Sequence, residues 1–156
     1  MQTLDCLNQV ADFHRTFKHP ILETPQIPSE DRCRLRVALI AEELKELEVA
    51  ILEKDIVSVA DALADIQYVL SGAVLEFGLG EKFRALFDEV QRSNMSKACN
   101  TTEEAEATLR HFEAQGVACY YKEDNGKYLV YRTADNKTLK SVFYSPANLE
   151  AIIAAE

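Results

Sequence analysis

Residues 41–70 read AEELKELEVAILEKDIVSVADALADIQYVL. On either side of Lys54-Asp55 the apolar residues recur at steps of three and four, the spacing of two helices joined by a short connection. The first of the pair is predicted to start at the cap Ser29 and run to about Lys54, with Glu30 and Asp31 in the turn where the helix dipole favours anions. Its apolar seam is predicted as Cys33, Val37, Ile40, Leu44, Leu47 and Ile51. The second is predicted over residues 56–77, ended by Gly78. Val57, Val59, Leu63, Ile66, Val69, Leu70, Val74 and Leu75 make it apolar almost all round. Such a helix is expected to be buried in a bundle or between subunits.

Two pairs of carboxylates sit on these helices. Glu43 points beside Leu47 at the edge of the seam, and Glu46 lies about 60° further round. An isolated Glu-x-x-Glu is common on any acidic helix. Asp61 and Asp65 change the balance, because they are one turn apart on a face that Tyr68 and Gly72 continue. Aspartate is a poor helix former, and buried carboxylates are costly unless a cation accompanies them. That cation is either one of Arg32, Arg34 and Arg36 or a metal ion. If the two helices pack antiparallel, the carboxylate pairs face each other. Four oxygen ligands without His or Cys suit Mg²⁺ or Mn²⁺ rather than zinc or copper. A di-iron site needs Glu-x-x-His, and none of His14, His19 and His111 follows a Glu at that spacing.

Outward from this pair, residues 4–17 carry the pattern of a first helix, and Pro20, Pro25 and Pro28 mark an ordered loop. A fourth helix is expected over residues 81–96. A fifth is expected from the capping box Thr101-Thr-Glu-Glu104 to Gly116. The period then changes to two. Residues 117–122 and 128–133 flank Asp124-Asn-Gly126, a hairpin signal. A third strand is expected over residues 139–144 and a short helix over residues 148–155. The chain therefore reads as mainly α: a four- or five-helix bundle over residues 1–98, then a small α+β extension with a β-hairpin over residues 99–156.

The 156 residues carry 26 Asp and Glu against 17 Lys and Arg, a net charge of −9. That excludes general attraction to nucleic acid or an anionic membrane. The four cysteines, Cys6, Cys33, Cys99 and Cys119, are scattered without metal-ligand spacing. With no signal-peptide pattern and no apolar run read as long enough to cross a bilayer, the expected setting is the reducing cytoplasm.

At these residues the chain resembles the all-α nucleoside triphosphate pyrophosphohydrolases: the MazG-like enzymes, the dimeric dUTPases and the phosphoribosyl-ATP pyrophosphohydrolases. The matching segments are Glu42-Glu43-Leu-Lys-Glu46 followed by Asp61-Ala-Leu-Ala-Asp65-Ile-Gln-Tyr68. Val10-Ala-Asp-Phe13-His14-Arg-Thr-Phe17, Arg92-Ser-Asn94-Met-Ser-Lys97, and the tail Asp135–Lys140 with Tyr144-Ser-Pro146 also match. The family's second pair is usually Glu-x-x-Asp. Here Asp65 holds its final position and Asp61 falls one residue early.

The resemblance implies hydrolysis of a triphosphate between the α and β phosphates. Glu43 and Glu46 would be catalytic and, with Asp65 and Asp61, would hold Mg²⁺ or Mn²⁺. Glu42 or a free oxygen of Glu46 would take a proton from water. Asn94, Lys97, Tyr68, His14 and Lys140 are the candidates for substrate contacts, with Arg92 and Phe17 beside them. The apolar third helix adds the expectation of a homodimer or a dimer of dimers. The alternatives are phosphoribosyl-ATP as substrate, or a non-catalytic dimeric binding module.

Overall fold

The computed structural model describes residues 4–155. The described residues are 58% helical, with six helices and one two-stranded antiparallel sheet. In order these are α1 (Cys6–Phe17), α2 (Glu30–Glu53), α3 (Ile56–Glu76), α4 (Phe83–Met95), α5 (Thr102–Glu113), β1 (Cys119–Asp124), β2 (Lys127–Arg132) and α6 (Leu149–Ala154). The chain divides into two compact units, Met1–Phe83 and Arg84–Glu156. The boundary at 98/99 read from the change of period falls later, after α4.

In the N-terminal unit the α2–α3 connection is as short as the sequence implied. Lys54 takes the left-handed conformation (φ 59°) at the end of α2, and the Asp55 carboxylate caps α3 by accepting from the Val57 and Ser58 amides. The side chains of Arg32 and Arg36, early in α2, reach Glu76 at the far end of α3, so the two helices run antiparallel. Val10 and Ala11 of α1 pack on Leu75 of α3.

The α2 seam differs from expectation. Arg36 and Ala50 are its buried residues, whereas Val37, Leu44 and Ile51 of the predicted seam are exposed, at 69%, 59% and 57%. The helix is apolar on two neighbouring stripes, and only one of them faces α3. The C-terminal half of α3 is buried, with Ser71, Gly72, Val74, Leu75 and Glu76, while Ile56, Val57 and Leu63 near its start are exposed. By length and composition α3 is also long and apolar enough to cross a bilayer, which corrects the reading that no segment was. Asp61 and Asp65 lie inside it.

The proline loop closes the end of α3. The amides of Leu22 and Gln26 donate to the carbonyls of Leu75 and Phe77, at 3.0 and 3.1 Å. Gly78 follows with φ 68°, and a Cβ there would lie 1.9 Å from the Thr24 carbonyl oxygen. Gly78→Ala is therefore expected to cost about 3 kcal/mol or more, the sum of a left-handed non-glycine residue and a backbone clash. Gly116→Ala, also at positive φ but with nothing within 4 Å of the added carbon, should cost only about 1 kcal/mol. Equal urea midpoints for the two variants would contradict this.

In the C-terminal unit Asn125 and Gly126, both at positive φ, make the two-residue turn between β1 and β2 that Asp124-Asn-Gly126 promised. Cys99, Ala105, Val130 and Leu139 form its core. Among the described residues there is no third strand over residues 139–144. Thr138 makes one bridge to Tyr131, and Leu139 donates to the Val130 carbonyl. The chain then turns away, with the Ser141 amide donating to the Lys97 carbonyl at 3.1 Å. That path anchors the tail on the end of α4 instead of extending the sheet.

Candidate active site

The antiparallel pairing sets Glu43 of α2 opposite Asp61 and Asp65 of α3. Glu43 is half-buried, and its carboxyl is pushed above the ordinary value. Burial is the largest cause, followed by the negative charges of Asp65, Glu46, Glu42 and Asp61. The other three predicted ligands thus lie within electrostatic reach of Glu43, and all four are on exposed or half-exposed surface. Among the described residues none of them has an ion-pair partner.

The arginines that could have neutralised them are used elsewhere. Arg34 pairs with Glu30. Arg32 and Arg36 both donate to Glu76. Ion pairs from α2 arginines to Asp61 or Asp65 are therefore absent among the described residues. An all-oxygen, strongly anionic donor set fits a hard divalent cation in kind. As placed, no three His, Cys, Asp or Glu of the described residues are drawn together closely enough to hold a metal.

One turn along the same helices, beyond Leu39 on α2 and beyond Asp65 on α3, lies a cavity of 220 Å³. Phe13, His14, His19, Leu35, Tyr68 and Val69 line it, together with Arg32 and Arg36. Phe13 and Tyr68 meet edge to face at 5.6 Å, and His19 stacks on Phe13 at 5.7 Å. Phe17 is largely exposed, touching Phe13. His14 is 2% exposed. Its Nδ1 lies 2.9 Å from the Pro20 carbonyl oxygen, an acceptor only, so Nδ1 carries the proton. Nε2 then presents its lone pair to Arg36 Nη2 at 3.2 Å. Burial, with Arg36 and His19 acting in the same sense, outweighs the Pro20 carbonyl and Glu76 and holds the imidazole below its usual pKa. His14 is thus neutral, and both ring nitrogens are bonded within the chain.

Glu76 is the charged residue that sequence reading missed. It is 1% exposed, and two guanidinium groups satisfy it. Burial alone would raise its pKa, but hydrogen bonds from Arg32 and Arg36 overcome this and lower it. Gly72 lies under Arg36, where a Cβ would sit 2.6 Å from Nη1. The available signal was one acidic residue at the end of an apolar helix, with arginines at i and i+4 on its partner.

The other candidates belong to the C-terminal unit. Lys97 Nζ donates to Asn94 Oδ1 at 2.8 Å, and Lys140 Nζ sits 4.4 Å from the centre of the Tyr144 ring. Arg92 holds Glu89 and also reaches Ser145 Oγ and the Pro146 carbonyl, each at 3.0 Å. Arg92 and the Asn148 amide draw the Glu89 carboxyl down to about 2. Ser93 Oγ and the Tyr144 hydroxyl are 2.9 Å apart. The segments Arg92–Lys97 and Tyr144–Pro146, distant in the chain, therefore form one surface.

The sequence profile described as phosphoribosyl-ATP pyrophosphohydrolase matches residues 10–94, more than half of the chain. That span takes in both carboxylate pairs and the arginine–glutamate cluster. The chain is also 34% identical, over 116 residues, to the uncharacterized protein L479 of Acanthamoeba polyphaga mimivirus. The matched part is 69% of this chain and 44% of that protein, so the chain spans less than half of its relative's length.

Proposed function

Since the chain belongs to the phosphoribosyl-ATP pyrophosphohydrolase family, within the all-α MazG-like pyrophosphohydrolases, we propose that it hydrolyses a nucleoside triphosphate between the α and β phosphates. The products are a monophosphate and pyrophosphate, and the role is clearance of unwanted nucleotides in the cytoplasm. The observation that carries this reading is the set Glu46, Asp61 and Asp65 gathered around Glu43, with no ion-pair partner for any of the four among the described residues.

Glu43, Glu46 and Asp65, with Asp61, would hold Mg²⁺, for which Mn²⁺ can substitute. When bound, the cation supplies the charge that admits a polyphosphate to an acidic face and lowers the pKa of water. Everything else is positioning, as phosphoryl transfer requires. Glu42 or a free oxygen of Glu46 accepts the proton of the attacking water. The aromatic cavity one turn away takes the base, with Tyr68 against its ring and His14 in the wall. Lys97, Lys140 and Asn94, which the resemblance implies for substrate contacts, belong to the C-terminal unit.

The test is pyrophosphate release from a panel of triphosphates with and without Mg²⁺. Release that needs the metal is the expected result. Silence toward every nucleotide would leave a binding module. Phosphoribosyl-ATP belongs in the panel, because the family's own description favours it and the carboxylates read phosphate and metal alone.

A second copy of the chain is the partner proposed for the apolar face of α2 and α3. Val37, Leu44, Ile51, Ile56, Val57 and Leu63 are each more than half exposed there, and clustered exposed apolar side chains mark interaction sites. Light scattering is expected to give at least twice 17.6 kDa. A monomer at micromolar concentration would remove this interface.

A further inference from the structure

We propose that Arg32 and Arg36 form an oxyanion site in the wall of the aromatic cavity, and that its ligand is a phosphate monoester on a small organic group. The site goes beyond the carboxylate cluster and does not need it. Arg36 lies about two helical turns before Glu43 on α2, roughly 10 Å along the axis.

Charge is the first observation. The chain carries a net charge of −9, yet the charged side chains that line this cavity are Arg32 and Arg36, and no carboxylate lines it. Glu76, which the two arginines share, is 1% exposed and sets one negative charge against two positive ones. The cluster therefore keeps a net positive charge beside apolar walls, where charge is weakly screened. His14 does not cancel it, because the ring is neutral and its lone pair already faces Arg36.

Unspent donors are the second observation. Arg32 gives Nε and Nη2 to Glu76, and its Nη1 makes no hydrogen bond among the described residues. The side chain keeps 30% exposure, so a ligand in the cavity can reach that group. Arg36 gives Nη2 to Glu76 and His14, while its Nε is sealed from solvent with no acceptor in the chain. Guanidinium groups match phosphate oxygens in geometry and hold them by charge-assisted hydrogen bonds. Phe13, Leu35, Leu39 and Val69 make much of the remaining wall apolar, which suits the carbon side of an ester better than a bare ion.

Isothermal titration of the metal-free full chain tests this with ribose 5-phosphate, ribose and inorganic phosphate as probes. Ribose 5-phosphate is expected to bind about tenfold more tightly than either of the others, the scale of one charge-assisted hydrogen bond. Arg32→Gln should lower its affinity about tenfold. Arg32→Lys keeps a charge beside Glu76 but loses the fork, so it should lie between the two and carries the test if Arg32→Gln does not fold. Arg34→Gln, on the same helix but paired with Glu30 at the surface, should leave the affinity unchanged. No preference for the ester over ribose or over inorganic phosphate, an equal loss in Arg34→Gln, or an affinity that both Arg32 variants leave intact would each overturn the proposal. Competition with AMP identifies the source of the ester. Displacement of ribose 5-phosphate by AMP at equal or higher affinity makes it a nucleotide's own phosphate, and failure to displace makes it a separate ligand. Metal-dependent hydrolysis without ester binding would defeat this inference and leave the pyrophosphohydrolase reading standing. Ester binding that depends on Arg32, without hydrolysis of any triphosphate, would do the reverse.

Discussion

Glu46→Gln is expected to cut pyrophosphate release at least about a hundredfold, because the cation it helps to hold supplies several kcal/mol of charge stabilisation. The side chain is exposed and has no ion-pair partner among the described residues. Its neutral isostere therefore removes charge without opening a cavity, and the melting temperature should hold or rise slightly as repulsion around Glu43 is relieved. Mg²⁺ with a triphosphate should raise the melting temperature of the natural chain and shift the variant much less. Asp61→Asn is the informative companion. Asp61 pairs with no arginine among the described residues, so a fall in turnover without a loss of stability is the result expected if it helps to hold the cation. Glu48→Gln, on the same helix but outside the cluster, should be silent. A folded Glu46→Gln protein that turns over at the natural rate would end the proposal.

The largest loss of stability is expected at a residue with no assigned chemistry. Glu76→Ala strips the shared partner from two arginines, one of them 7% exposed. Breaking a buried ion pair from one side costs about 3–5 kcal/mol, since the remaining charge is left uncompensated. Arg34→Ala breaks a pair whose side chains are 71% and 77% exposed, and should move stability by less than about 1 kcal/mol. Urea denaturation distinguishes the two. The pH dependence has a definite sign. The folded Glu76 pKa lies below its usual value of 4.5. Its contribution is therefore complete above about 4.5 and is lost as pH falls through the lower folded value. Burial of neutral His14, whose usual value is 6.5, works in the same direction from a higher pH. Glu76→Gln should flatten the acid limb of the stability profile. A variant with an unchanged profile and an unchanged midpoint would refute the role of the cluster.

The helices were legible because their ends are written locally. Asp55, Thr101 and Asn148 each cap with their own side chains, and Asn125-Gly126 can hardly make anything but a tight turn. The carboxylate pairs were legible for a similar reason, since helical spacing fixes which residues share a face. What could not be read was which face meets which. Two apolar stripes on α2 look alike in one dimension, so Val37 and Leu44 entered the predicted seam while Arg36 took the buried place. The same gap left Arg32, Arg34 and Arg36 open as alternatives to a metal ion beside Asp61 and Asp65, when the end of α3 delivers Glu76 to Arg32 and Arg36. The missing third strand is likewise a long-range matter. Residues 139–144 have a strand-like composition, but Ser141 binds the Lys97 carbonyl and draws the chain toward α4.

The proline loop also orders events during folding. The α2–α3 pair is joined by Lys54-Asp55, so it can zip from a local start with little loop-closure entropy. The carbonyls of Leu75 and Phe77, by contrast, wait for amides more than fifty positions earlier in the chain. Contacts of such long range come at a higher entropic cost and form late. Hydrogen exchange should therefore find the Leu22 and Gln26 amides opening as one unit, at lower free energy than the middle of α3. Each such opening would uncover the end of α3 next to Glu76 while the carboxylate-bearing half of the helix pair stayed closed.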